Sequence, residues 1–142
     1  MSNTNEHIAG NWIGWDEKYA TGHVGMDRGH KSLMELVNRL ADNMENDDQK
    51  EFCSNTLGQF VEHAGKHFLA EEAMMDQHKY PKAVEHKALH AAMLKDVLAF
   101  KESYDAGYAT ESITLLVILE SWLKRDIMEA DKELANFVAT AG

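Results

Sequence analysis

The chain has 142 residues, enough for one domain built on a single core. Its formal net charge of −10 argues against nucleic acid or an anionic membrane surface as partner, because an acidic body attracts neither. A single cysteine, Cys53, excludes a disulfide framework and a thiolate metal cluster. One proline among abundant Ala, Leu, Met, Glu and Lys favours helix almost throughout.

Residues 1 to 26 show no sustained period and carry Trp12, Ile13, Trp15 and Tyr19, so they read as an ordered arm laid against the body. The first residues lack the basic and apolar regions of a signal peptide. The longest apolar run, Leu115 to Leu119, is too short to span a bilayer, so the expected compartment is the cytoplasm. A first helix is expected from about Asp27 to Met44, with Leu33, Leu36, Val37, Leu40 and Met44 at helical spacing and His30 on the same side. An inward His by itself is more often a hydrogen-bonded core residue than a ligand.

Asp48 and Glu51 make a capping-box-like start for a second helix, from about Gln49 to His78. Its expected inward side runs Phe52, Leu57, Phe60, His63, Ala64, His67, Phe68, Glu71, Met74 and Met75. His67 and Glu71 are four apart and therefore share a face. Imidazoles and a carboxylate on a core stripe are costly unless something compensates them, and a cation does so.

Pro81 suits the first position of a third helix that runs to about Tyr104, with Gly107 beyond its end. Val84, His86, Leu89, His90, Met93, Leu94, Val97 and Phe100 form its expected inward side, so His86 and His90 make a second pair at i,i+4. The fourth helix is expected from about Glu111 to Val138, with Val117, Trp122, Leu123, Ile127 and Leu134 among its apolar positions and Asp126 and Asp131 between them. Four helices joined by short loops predict an all-α, antiparallel up-down four-helix bundle with an N-terminal arm, one domain over residues 1–142.

Each helix thus offers candidate ligands: His30, then His67 and Glu71, then His86 and His90, then Asp131. A nitrogen-rich set with bridging carboxylates suits a pair of first-row metals, iron above all.

These stretches resemble the hemerythrin family, specifically the single-domain bacteriohemerythrins. The resemblance is carried by Val24-Gly25-Met26-Asp27 leading to His30-Lys31-Ser32-Leu33, and by His67-Phe68-Leu69-Ala70-Glu71-Glu72. It continues through His86-Lys87-Ala88-Leu89-His90, then Trp122-Leu123 and Ile127 to Asp131, and it spans roughly residues 12 to 138. It implies a non-haem di-iron centre, Fe2+/Fe3+ with an oxo or hydroxo bridge, that binds molecular oxygen reversibly at one open iron position. Carried over by position, His30 and His67 hold the iron with the open site, His86 and His90 hold the other, and Glu71 and Asp131 bridge them. Trp122, Leu123 and Ile127 match the apolar wall of the O2 pocket, which keeps water and protons away.

One position departs from the family. Five residues before the bridging Asp stands Asp126 where a fifth His is expected, so that Asp126 reaches the metal directly, reaches it through a water, or leaves that iron a ligand short. Where it binds the metal, its negative charge is expected to favour the ferric state. His63, one turn before His67, is expected to make a supporting hydrogen bond or pack in the core, not to replace the fifth His. The resulting expectation is an O2 carrier, store or scavenger and not an enzyme, monomeric, with a separate redox or oxygen-consuming protein as partner. The alternative is a di-metal oxidase or peroxidase-like enzyme, or a redox or NO sensor.

Overall fold

The computed structural model describes residues 13–43, 47–107 and 112–141, with the side chains of Asp47, Ser112, Ile113, Thr114, Asp126 and Ala141 outside the description. Trp12 and Met44 also lie outside the described residues. The elements are α1 (Val24–Asn43), α2 (Lys50–His78), α3 (Ala83–Asp105), α4 (Ser112–Ser121), a π turn (Trp122–Ile127) and α5 (Met128–Ala141), with single 3₁₀ turns at Glu17–Tyr19 and Asp47–Gln49. Ser121 and Met128 both keep helical φ and ψ, so α4, the π turn and α5 form one continuous fourth helix. No strand occurs among the described residues, and no helix is long and apolar enough to cross a membrane. The expected four-helix bundle is the fold: α1 packs on α2 and α4, and α2 on α3 and α5.

Several boundaries differ from expectation for local reasons. The first helix starts at Val24 because the His23 Nδ1 accepts from the Met26 N–H at 3.2 Å, capping the helix a turn early. Asp27, inside that first turn, accepts from the Thr21 N–H and hydroxyl, both at 2.9 Å. The second helix begins at Lys50 after the 3₁₀ turn, and Gln49 makes no side-chain cap, so no Asp48 capping box forms. It ends at Lys79, which turns left-handed (φ 53°) and lets the Tyr80 N–H reach back to the Met75 carbonyl at 2.9 Å. Pro81 then lies in a turn two residues ahead of α3 instead of opening it.

The arm is pinned to α1. The Ile13 N–H donates to Asn38 Oδ1 at 2.8 Å, and Asn38 Nδ2 donates back to the Ile13 carbonyl at 3.1 Å. Lys31 lies over the Trp15 ring, 4.7 Å from its centroid.

The buried row of α2 is Cys53, Leu57, Phe60, Ala64, Phe68, Glu71 and Met75. At 3.6 residues per turn, His63 falls about 100° from Ala64, at the centre of that row. It is exposed, which corrects its expected place in the core or beside the metal ligands. Phe52 of α2 and Val84 of α3 are likewise exposed, contrary to their expected inward placement.

The fourth helix was expected to be uninterrupted, and the π turn is a departure. Its inward residues Leu119, Leu123, Ile127 and Asp131 stand four apart, and in a regular helix each step of four overshoots the face by about 40°. The wider π turn, in which the Met128 N–H reaches Leu123 O, removes part of that drift and keeps the row directed at the core.

Two apolar clusters result. One contains Leu33, Val37, Leu57, Phe60, Met93 and Leu123; the other contains Met26, Met75, Tyr80, Leu134 and Ala135. His30, Glu71, His86, His90 and Asp131, all buried, lie between them along their helices.

Candidate metal centre

Four helices each deliver part of one polar layer. His30 comes from the second turn of α1, and His67 and Glu71 from one face of α2. His86 and His90 come from successive turns of α3, and Asp131 from the first turn of α5 just past the π turn. Two overlapping groups form: His30, His67, Glu71 and Asp131, and Glu71, His86, His90 and Asp131. Within each group the ligand atoms all lie within 4.8 Å of one another.

The two carboxylates divide their oxygens between the groups. Asp131 Oδ2 is 2.6 Å from His30 Nε2 and 3.6 Å from His67 Nε2, while Oδ1 is 2.8 Å from His86 Nε2. Glu71 Oε2 is 2.6 Å from His67 Nε2, while Oε1 is 3.0 Å from His90 Nε2 and 3.7 Å from His86 Nε2. Each carboxylate therefore faces one histidine pair with one oxygen and the other pair with the other.

Most of these separations are not hydrogen bonds, although they are short. His67 Nε2, His86 Nε2, His90 Nε2, both Glu71 oxygens and Asp131 Oδ1 are buried without an aligned hydrogen-bond partner. Two donor atoms each about 2.1 Å from one metal and about 90° apart stand about 3 Å from each other, aimed at the metal and not at one another. Burying several such atoms unsatisfied costs up to a few kcal/mol each, a penalty that bound cations remove. The donor set and its alignment fit a pair of first-row metals.

The buried carboxylates dominate the electrostatics of this layer. Burial disfavours the charged form of His67, but the Asp131 and Glu71 carboxylates outweigh it and raise its pKa from 6.5 to about 9. Burial likewise opposes His90, and Glu71 with Glu72 raises it. Burial pushes the Asp131 carboxyl up, yet His30, His67 and His86 hold it well below the usual carboxylate range.

A raised His67 stabilises the metal-free fold fully below 6.5, and that contribution is lost as the pH climbs through about 9. The depressed Asp131 contributes above 3.8 and loses its contribution only in stronger acid. Urea unfolding of the metal-free protein should therefore give a lower midpoint at about pH 9.5 than at about pH 6. Metal uptake at neutral pH should release protons.

Two neighbours were not anticipated from the sequence. Gly29 lies against His67: a Cβ there would overlap Nδ1 and stand 2.8 Å from Cε1. Gly29→Ala is expected to cost about 1–3 kcal/mol of metal retention by overpacking, although helix propensity alone favours Ala by about 1 kcal/mol. A metal-retention assay beside the metal-free stability separates the two effects. The second is Glu72, whose Oε2 is 2.9 Å from His90 Nδ1. The sequence signal for Glu72 was only its place beside Glu71, and for Gly29 there was none. On its other face, His90 stacks on Phe68 at 3.9 Å between centroids, 4° from parallel.

Of the expected pocket residues, Leu123 and Ile127 are fully buried, and Trp122 is half-buried against the larger apolar cluster. The side chain of Asp126 lies outside the described residues.

Comparison with known proteins agrees with this chemistry. The family model described as the hemerythrin HHE cation binding domain matches residues 21–138. The bacteriohemerythrin of Clostridium acetobutylicum is 29% identical over 126 residues, covering 84% of this chain and 95% of that protein. The bacteriohemerythrin of Stenotrophomonas maltophilia is 26% identical over 126 residues, covering 87% and 80%. Myohemerythrin-1 of Phascolopsis gouldii is 31% identical over 93 residues, covering 66% and 72%.

Proposed function

Because this chain belongs to the hemerythrin family of HHE cation-binding domains, we propose that it is a non-haem di-iron protein that binds molecular oxygen reversibly, for carriage, storage or scavenging in the cytoplasm. The observation that carries the reading is the division of the Glu71 and Asp131 oxygens between two histidine pairs. On this reading His30 and His67 would hold the iron that takes up oxygen, His86 and His90 would hold the other, and Glu71 and Asp131 would offer one oxygen to each. When bound, the two irons supply the electrons and the open coordination position that oxygen requires.

The chain's own residues do the rest. The four imidazoles, neutral when they ligate, offer nitrogen donors that suit iron in both oxidation states. The two carboxylates neutralise part of the metal charge inside a buried layer. Leu123 and Ile127, both fully buried, would line an apolar wall that keeps water and protons away from the oxygen site.

Asp126, where the family's fifth His is expected, favours a second outcome: a more readily oxidised centre serving as an oxidase or peroxidase-like enzyme, or as a redox or NO sensor. An optical titration of the anaerobic, iron-loaded protein separates these. Visible charge-transfer bands that appear on adding O2 and vanish on removing it are the expected result. Irreversible passage to a stable di-ferric spectrum, or steady turnover with a reductant, would overturn reversible carriage.

A further inference from the structure

His90 is the one imidazole of the four whose far nitrogen is backed by a carboxylate among the described residues. Its Nε2 faces Glu71 Oε1 at 3.0 Å, and its Nδ1 lies 2.9 Å from Glu72 Oε2. By contrast, His30 Nδ1 is buried with no partner. Glu72 stands about 80° around α2 from Ala64, on the side toward α3. It is half-buried in a groove that Phe68, Leu69, Lys87 and Leu94 also line. A surface-facing Glu on that edge has no need of His90. Lys87, its neighbour in the groove, pairs instead with Asp76 at 2.9 Å.

We infer that Glu72 is a positioning residue for the metal centre: it accepts the Nδ1–H of His90, fixing the tautomer and ring angle that turn the Nε2 lone pair toward Glu71 and the metal. The inference rests on the metal-site reading above and deepens it. Its chemistry is that of a carboxylate backing a ligating imidazole. With the proton held on Nδ1, Nε2 is a stronger donor, and the ring no longer has to be oriented at the moment of binding. Phe68, stacked on the ring, closes the remaining rotation.

The two halves of the centre are thereby unequal. The half built on His86 and His90 is the one to which the family pattern gives a third imidazole, where this chain has Asp126, and Glu72 strengthens one of its two remaining nitrogens. That ion is therefore the one whose retention depends on Glu72.

The test uses Zn2+ as a diamagnetic probe on the full chain, with Glu72→Ala and Glu72→Gln compared to the unsubstituted protein. Glu72→Ala should release one of two zinc ions about 10–100-fold more readily, the other being little changed. The protected Nδ1–H resonance of His90 should disappear from the proton spectrum. Glu72→Gln keeps an acceptor oxygen, and should restore the resonance and most of the affinity. Circular dichroism of the metal-free variants separates loss of fold from loss of positioning. Unchanged zinc affinity together with an unchanged His90 resonance in Glu72→Ala would overturn the role of Glu72 while leaving the metal site standing. An unsubstituted protein that takes up no zinc would overturn both.

Discussion

Asp131→Ala should reduce metal binding from about two ions per chain to less than one, the largest effect expected of any single side chain here. Asp131 is fully buried, and its two oxygens lie 2.6 Å from His30 and 2.8 Å from His86, on opposite sides of the site. Removing it withdraws an oxygen donor from both groups at once and leaves Glu71 as the only carboxylate common to them. It also removes one of the two anions that hold His67 protonated, so the pH dependence of metal-free stability between 6.5 and about 9 should shrink. Asp131→Asn, which keeps the volume, should lose metal nearly as completely, because the lost property is charge. Metal analysis after gel filtration, with helicity as a control, reads both. Retention of two ions by either variant would remove Asp131 from the proposed bridge.

Asp126→His should slow oxidation of the di-ferrous protein by about tenfold or more, which corresponds to about 1.4 kcal/mol. The argument is one of charge. Where Asp126 reaches the proposed centre, replacing its carboxylate by a neutral imidazole would withdraw a negative charge that favours the ferric state. The substitution should also prolong the reversible phase of the O2 titration and leave the helical content unchanged. Anaerobic iron loading followed by timed exposure to air measures the rate. Equal rates and equal iron content in both proteins would mean that Asp126 does not act on the centre.

The fold class was legible because it rests on a local quantity. Helical spacing along each segment, punctuated by Asn46-Asp47-Asp48, Pro81 and Gly107, needs no knowledge of the partners. The boundaries were less so. His23 capping α1 through its ring and the left-handed Lys79 are interactions of particular atoms that a periodic pattern does not contain. Helical phase was legible only within about a third of a turn, which is why His63, Val84 and Phe52 read as inward and are exposed.

Of the candidate centre, the sequence alone determined the donor types and their pairing at i,i+4, since residues four apart in a helix share a face whatever surrounds them. Only the tertiary structure decided which oxygen of Glu71 and of Asp131 meets which histidine, that Gly29 clears space for His67, and that Glu72 stands behind His90. Apart from the Glu71–His67 pair, those contacts join residues 15 to 101 positions apart, set by how the helices rotate and cross in packing. The π turn belongs with them, because its advantage, keeping Leu119, Leu123, Ile127 and Asp131 on one face, exists only once a core lies on that side.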